Sequence, residues 1–61
     1  MRYFTVELKN GNVIHYDIDN WELFIGKERV IFERVHYYKI GCREQVFYKV
    51  EDIEYIYTDY E

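Results

Sequence analysis

Residues 50–61 read VEDIEYIYTDYE: five acids threaded between three isoleucine or valine residues and three tyrosines, with no base among them. The segment is an acidic tail, the last strand of a sheet, or a helix that aligns Val50, Ile53, Tyr57 and Tyr60 on one face. Val50, Ile53 and Ile56 recur at a spacing of three, which fits one short 3₁₀-like turn over Glu51-Asp52 leading into a final strand of about five residues. Seven of the twelve residues are β-branched or aromatic. Such side chains lose χ1 freedom against the preceding turn of a helix, so strand is the preferred reading and helix the alternative.

The same bias runs through the whole chain. Thirteen aromatic and fifteen β-branched residues occupy 28 of 61 positions, and Ala, Ser and Pro are absent. These are side chains that fit a pleated, half-buried surface, so an all-β fold is expected. Low Gly and Ala beside abundant Tyr, Ile and Lys also points, on composition alone, to an AT-rich genome such as that of a low-GC bacterium or its phage.

Size sets a second constraint. A chain of 61 residues makes one small domain, 1–61, and hides only about 60% of the surface that its unfolded form exposes. Domains this small usually need a staple. Cys42 is the single cysteine, so no intrachain disulfide can serve, and one thiol fits a reducing, cytoplasmic setting. Oligomerisation is the remaining candidate. The opening MRYFTVELK alternates rather than forming an apolar run, so neither a signal peptide nor a membrane span is expected there.

Working back from residue 50, alternation and turn residues divide the chain into strands. Phe4, Val6 and Leu8 share one face of a first strand, and Asn10-Gly11 is expected to supply the φ > 0 positions of a tight hairpin. Ile14, Tyr16 and Ile18 share a face of the second strand, which ends at an Asp19-Asn20 turn. Trp21, Leu23 and Ile25 form the next set, and Gly26-Lys27-Glu28 closes it into a hairpin with a strand starting near Arg29. Val30 and Phe32 have one parity and Val35 and Tyr37 the other, so a bulge or sharp bend near Glu33-Arg34 is expected. Gly41-Cys42-Arg43-Glu44 reads as a turn, followed by a strand in which Val46, Tyr48 and Val50 alternate with Phe47 and Lys49. Five or six antiparallel strands result, expected to curl strongly or to close into a small barrel that hides its edges.

Three pieces of this pattern resemble the Sm-like small barrels, including the bacterial Sm-like RNA chaperones. They are Leu8-Lys9-Asn10-Gly11, Asp19-Asn20-Trp21 with Leu23 and Ile25, and Gln45-Val46-Phe47-Tyr48-Lys49 running into Ile53 and Ile56. The resemblance implies an SH3/Sm-like barrel over roughly residues 3–57 and a ring that binds single-stranded RNA. Tyr48-Lys49 would then lie where those chaperones carry a Tyr-Lys-His segment at the RNA-binding pore, with Val50 in place of the histidine.

Residues that carry chemistry are few. His15, His36 and Cys42 are the only soft metal ligands, and they lack finger or ribbon spacing. No metal, cofactor or catalytic residue is therefore expected. The isolated glycines at 11, 26 and 41 read as turns rather than a phosphate cradle. A domain so small hardly encloses a cleft for acid-base work, so the chain is expected to be no enzyme.

Charge is distributed unevenly. Residues 1–26 carry net −2, residues 27–49 net +3 and residues 50–61 net −5. The basic middle interleaves Lys27, Arg29, Arg34, Lys39, Arg43 and Lys49 with Tyr37, Tyr38, Phe47 and Tyr48. That is either a solvated sheet face or a surface on which single-stranded bases stack while phosphates meet cations, although an overall charge of −4 opposes long-range attraction to nucleic acid. Eight tyrosines exceed what so small a core buries, so some cover the sheet in solvent or meet a partner. The expected function is a non-enzymatic binding module, a small regulator or inhibitor that contacts itself and a protein partner. Trp21, Tyr37, Tyr38, Tyr55 and Tyr57 are the expected contacts, with Glu51, Asp52, Glu54 and Asp59 supplying charge complementarity. Single-stranded RNA binding through Lys39, Arg43, Tyr48 and Lys49 is the alternative.

Overall fold

A computed structural model describes residues 1–35 and 43–60. They form six strands and one 3₁₀ turn: β1 (Arg2–Leu8), β2 (Val13–Asp17), β3 (Glu22–Ile25), β4 (Arg29–Val35), β5 (Arg43–Lys49), the turn Val50–Asp52, and β6 (Ile53–Tyr60). The all-β expectation holds. Residues 50–60 are built into a sheet, and the helical alternative for them is not adopted. β6 is eight residues long, longer than the spacing of its isoleucines suggests, because Tyr57, Thr58 and Tyr60 continue the ladder beyond Ile56.

The strands form two antiparallel three-stranded sheets, ordered β2-β1-β6 and β3-β4-β5. The expected closure into a barrel is not seen: among the described residues no ladder joins β2 to β3 or β5 to β6. Two local features explain this. Asp17 ends β2 by gathering the following turn: its carboxylate accepts from the Asp19 N–H at 3.0 Å and from Asn20 Nδ2 at 2.7 Å. Its carbonyl meanwhile takes the N–H groups of Asn20 and Trp21. At the other junction the 3₁₀ turn carries the chain from one sheet to the other, tied by Val50 N–H to the Glu28 carbonyl and by Lys9 N–H to the Asp52 carbonyl.

The core lies between the sheets. Alternation aims Val6 and Tyr16 from one sheet at Val30 and Phe32 from the other, and these four are the buried hydrophobic residues among those described. Phe4, Leu8, Ile14, Trp21, Leu23, Val46, Tyr48, Ile53 and Ile56 pack around them. The Tyr16 and Phe32 rings stack at 4.1 Å and 14°. Trp21 and Tyr48 close two sides edge-on, at 4.9 Å from Tyr16 and 6.0 Å from Phe32. Burying a ring such as Phe32 contributes about 3 kcal/mol, and each aromatic pair adds roughly 0.5–1.5 kcal/mol.

Two turn expectations are corrected. Among the described residues only Gly11 has positive φ, at 94°; Asn10 does not, so the loop is not the two-residue primed turn. Gly11 N–H bonds the Leu8 carbonyl and Leu8 N–H bonds the Asn12 carbonyl. That is the three-residue hairpin loop in which glycine takes the left-handed position. The bulge expected near Glu33-Arg34 is absent too, since the β4 register with β5 runs unbroken from Arg29↔Lys49 to Val35↔Arg43. The strand keeps phase because its off-parity polar groups are satisfied in place. Gln45 Nε2 donates to Glu33 Oε1 at 2.6 Å, and the Arg34 guanidinium lies 5.7 Å from the Trp21 ring. The one register shift falls instead between Glu7 and Leu8, opposite the entry to β6. Arg43 and Glu44 belong to β5 rather than to a turn; Gly41 and Cys42, with Tyr37, lie outside the described residues.

Because β6 covers one side of β1, a chain ending at Lys49 should expose Val6 and lose its cooperative thermal transition. Circular dichroism melting checks this, and a transition at or above that of the full chain would contradict it.

Candidate binding surfaces

Each sheet turns one face inward and one outward, and the two outer faces differ. On the β2-β1-β6 sheet the register sets three rows across the strands: Asp17–Tyr3–Asp59, His15–Thr5–Tyr57 and Val13–Glu7–Tyr55. Thr5 is fully buried in the middle of this outer face. Its Oγ1 is hydrogen-bonded to His15 Nδ1 at 2.9 Å, and Tyr3 leans on the His15 ring at 5.9 Å. A hydroxyl so covered is closed to substrate, so the Thr5–His15 pair reads as a structural bond. The Tyr57 hydroxyl is raised above its ordinary pKa, first by burial and then by the carboxylates of Glu7 and Asp59, with a hydrogen bond to Glu7.

The C-terminal expectations converge on this sheet. Tyr55 and Tyr57 are exposed on β6, as is Tyr60, and Glu54 and Asp59 are in solvent, with Glu51 and Asp52 on the turn just ahead. β6 bonds to β1 on one side and, among the described residues, to no strand on the other. Trp21 stands apart, half-buried between Tyr16 and Arg34. Tyr37, Tyr38 and Lys39 lie outside the described residues, as do His36 and Cys42.

The outer face of the β3-β4-β5 sheet carries an apolar row of which the sequence reading named only Phe47. Phe24, Ile31 and Phe47 are direct register neighbours, and Phe24 and Phe47 are 49% and 53% exposed. A signal was present: Leu23-Phe24-Ile25, Val30-Ile31-Phe32 and Val46-Phe47-Tyr48 are apolar triplets. An apolar triplet in a strand makes both faces apolar. Arg29 pairs with Lys49 on one side of the row. There a surface groove of about 830 Å³ is lined by Lys27, Arg29, Phe47, Lys49, Val50 and Glu51, among others. Of the nucleic-acid candidates among the described residues, Tyr48 and Lys49 line this groove, Lys49 with its charge in solvent. The Tyr48 hydroxyl is instead turned to the core, 2.5 Å from that of Tyr16, and Phe47 is the aromatic that faces outward. Arg43 begins β5 at the far end of the strand.

Among the described residues no cluster of three or more His, Cys, Asp or Glu is placed to hold a metal ion, and no helix is long and apolar enough to cross a membrane. No protein family, curated protein or solved structure matches this chain.

The Tyr16–Tyr48 bond has a consequence for stability against pH. Burial, then the hydrogen bond from Tyr48 and its charge, push the Tyr16 hydroxyl well above the ordinary tyrosine value of 10.0. The unfolded chain releases that proton from about pH 10 upward while the folded chain holds it. The contribution is therefore complete below about pH 10 and declines above it by up to about 1.4 kcal/mol per pH unit. Tyr16→Phe should flatten the alkaline fall in melting temperature. Tyr48→Phe, which strips Tyr16 of its partner, should cost about 1–3 kcal/mol at neutral pH. Melting curves from neutral to strongly alkaline pH check both, and an unchanged alkaline slope in Tyr16→Phe would contradict the assignment.

Proposed function

We propose that the chain is a small, non-enzymatic binding module that associates with itself and captures a protein strand along β6, acting as a regulator or inhibitor of that partner. One observation carries the reading. β6 presents an open hydrogen-bonding edge eight residues long, with Tyr55 and Tyr60 60% and 74% exposed and with carboxylates but no base on the strand itself. An open edge accepts a further strand through main-chain bonds, while side chains select which strand. Tyrosines supply contact area at low entropy cost, and Glu51, Asp52, Glu54 and Asp59 favour a basic partner.

The SH3/Sm-like part of the reading is supported by the turn gathered by Asp17, which runs through Asp19-Asn20-Trp21, one of the pieces that carry the resemblance. The 3₁₀ turn ahead of the last strand supports it further. A specific observation also favours a second reading, single-stranded RNA binding: Phe47 is exposed beside Lys27, Arg29 and Lys49 in one groove. A base can stack on such a ring while phosphates meet the cations.

A peptide alternating lysine with valine should shift and broaden the backbone amide signals of β6 on titration, with affinity falling as salt rises. The glutamate-valine counterpart should do neither. Absence of any change in β6 would contradict strand capture. An oligouridine titration separates the second reading, because it should instead perturb Lys49 and Phe47 and weaken steeply with salt.

A further inference from the structure

We infer that the strand captured on β6 is selected by arginine: its outward side chains are guanidinium groups that lie on Tyr55 and Tyr57 and reach the carboxylates of Glu7 and Asp59. This rests on the strand capture proposed above and names the side chains that choose the strand. Across β2, β1 and β6 the outer face has nine register positions. Three are tyrosines, three are carboxylates and none is lysine or arginine. A partner strand beside β6 adds a fourth column about 4.8 Å beyond it. Its alternate residues then stand beside Tyr55, Tyr57 and Asp59, and the residues between them stand beside Ile56 and Thr58 on the inner side.

The surroundings of Tyr57 decide which cation fits. Its hydroxyl donates to the Glu7 carboxylate, and the charges of Glu7 and Asp59 both act on it, so one ring and two carboxylates lie within reach of a single long side chain. Tyr55 and Tyr57 are 60% and 43% exposed, which leaves ring surface for a flat group to cover. A lysine ammonium is a strongly hydrated point charge. A guanidinium is flat and weakly hydrated, stacks on an aromatic ring and offers its donors in a rigid fork. Arginine therefore uses ring and carboxylate together, and exposed Asp59 can take its fork in two parallel hydrogen bonds.

The nine positions do not supply this charge themselves. His15 is the one imidazole among them, and it stands two strands from β6 with Nδ1 bonded to Thr5. A strand carrying acids would meet like charge at Glu7 and Asp59. On the inner side Ile56 packs against the core, so β-branched residues suit the positions between the arginines. The recognised segment is an extended run with arginine at every second residue.

Two peptides of equal length and charge test the inference, one alternating arginine with valine and the other lysine with valine. Each is titrated into the full chain while the amide signals of β6 and the ring signals of Tyr55 and Tyr57 are followed. The arginine peptide should bind at least about threefold tighter, since a cation on an exposed ring contributes roughly two- to fivefold. It should also shift the two tyrosine ring signals more than the lysine peptide does. Tyr57→Leu should bring the two affinities together, with the far-ultraviolet circular dichroism unchanged because the side chain is outside the core. Should that variant unfold, Tyr55→Leu makes the same comparison at the more exposed ring. Glu7→Gln with Asp59→Asn should weaken the arginine peptide several-fold. Equal affinities in the full chain, an arginine preference undiminished by the tyrosine variant, or arginine binding untouched by loss of the two carboxylates would overturn the inference and leave strand capture standing. Binding of neither peptide would overturn strand capture itself, and this inference with it.

Discussion

The ring of Tyr16 lies on the ring of Phe32 at 4.1 Å, and the two small sheets meet through that contact. Neither sheet has enough apolar area to be stable alone, since three short strands bury a face only when something packs on it. Tyr16 belongs to an edge strand of one sheet and Phe32 to the middle strand of the other. Their stack therefore sits where the sheets must be held in register. The hydroxyl of Tyr16 reaches past the ring to that of Tyr48, so the same residue packs on one strand and bonds to the next. Among the described residues no buried side-chain nitrogen or oxygen lacks a partner, which a core this thin requires, because each unsatisfied group costs about 1–3 kcal/mol.

From that clamp the division of labour between the faces follows. Inner positions near the middle of the strands are committed to the core, which leaves the outer faces, the strand ends and the open edges in solvent. The β2-β1-β6 sheet seals its outer face with a polar row, His15–Thr5–Tyr57, and leaves its edge strand β6 open and acidic. The β3-β4-β5 sheet does the reverse and leaves its outer face apolar. One small domain thus offers two surfaces of different chemistry, an open acidic edge and an apolar sheet face, with the core between them.

Much of this was legible in the residues themselves. Two-residue alternation placed Phe4, Val6, Leu8, Ile14 and Tyr16 inward, and the spacing of Val50, Ile53 and Ile56 marked the 3₁₀ turn, because side-chain period is a local property of the backbone. What failed was non-local. The bulge at Glu33-Arg34 was inferred from the parity of residues beyond Val35, whereas β4 keeps phase by bonding Glu33 to Gln45, twelve positions away. Barrel closure was inferred from the need to hide edges, and the edges are instead left open and charged, a different protection against unwanted pairing. On the surfaces, the β6 tyrosines and carboxylates were readable as exposed. Phe47 was named in the basic middle, but Phe24 and Ile31 were not, because attention to one parity of each strand passes over apolar residues on the other. Tyr48 was read as a stacking platform from its neighbour Lys49, yet adjacent residues on a strand face opposite ways.

Native-state hydrogen exchange tests the central claim, that the Tyr16–Phe32 stack makes the two sheets one cooperative unit. The slowest amides of β1 and of β4 should open with the same free energy, and Phe32→Leu should lower both by the same amount. Unequal opening energies, or a Phe32→Leu effect confined to β3, β4 and β5, would show that the sheets are stable separately and that the stack does not hold them together.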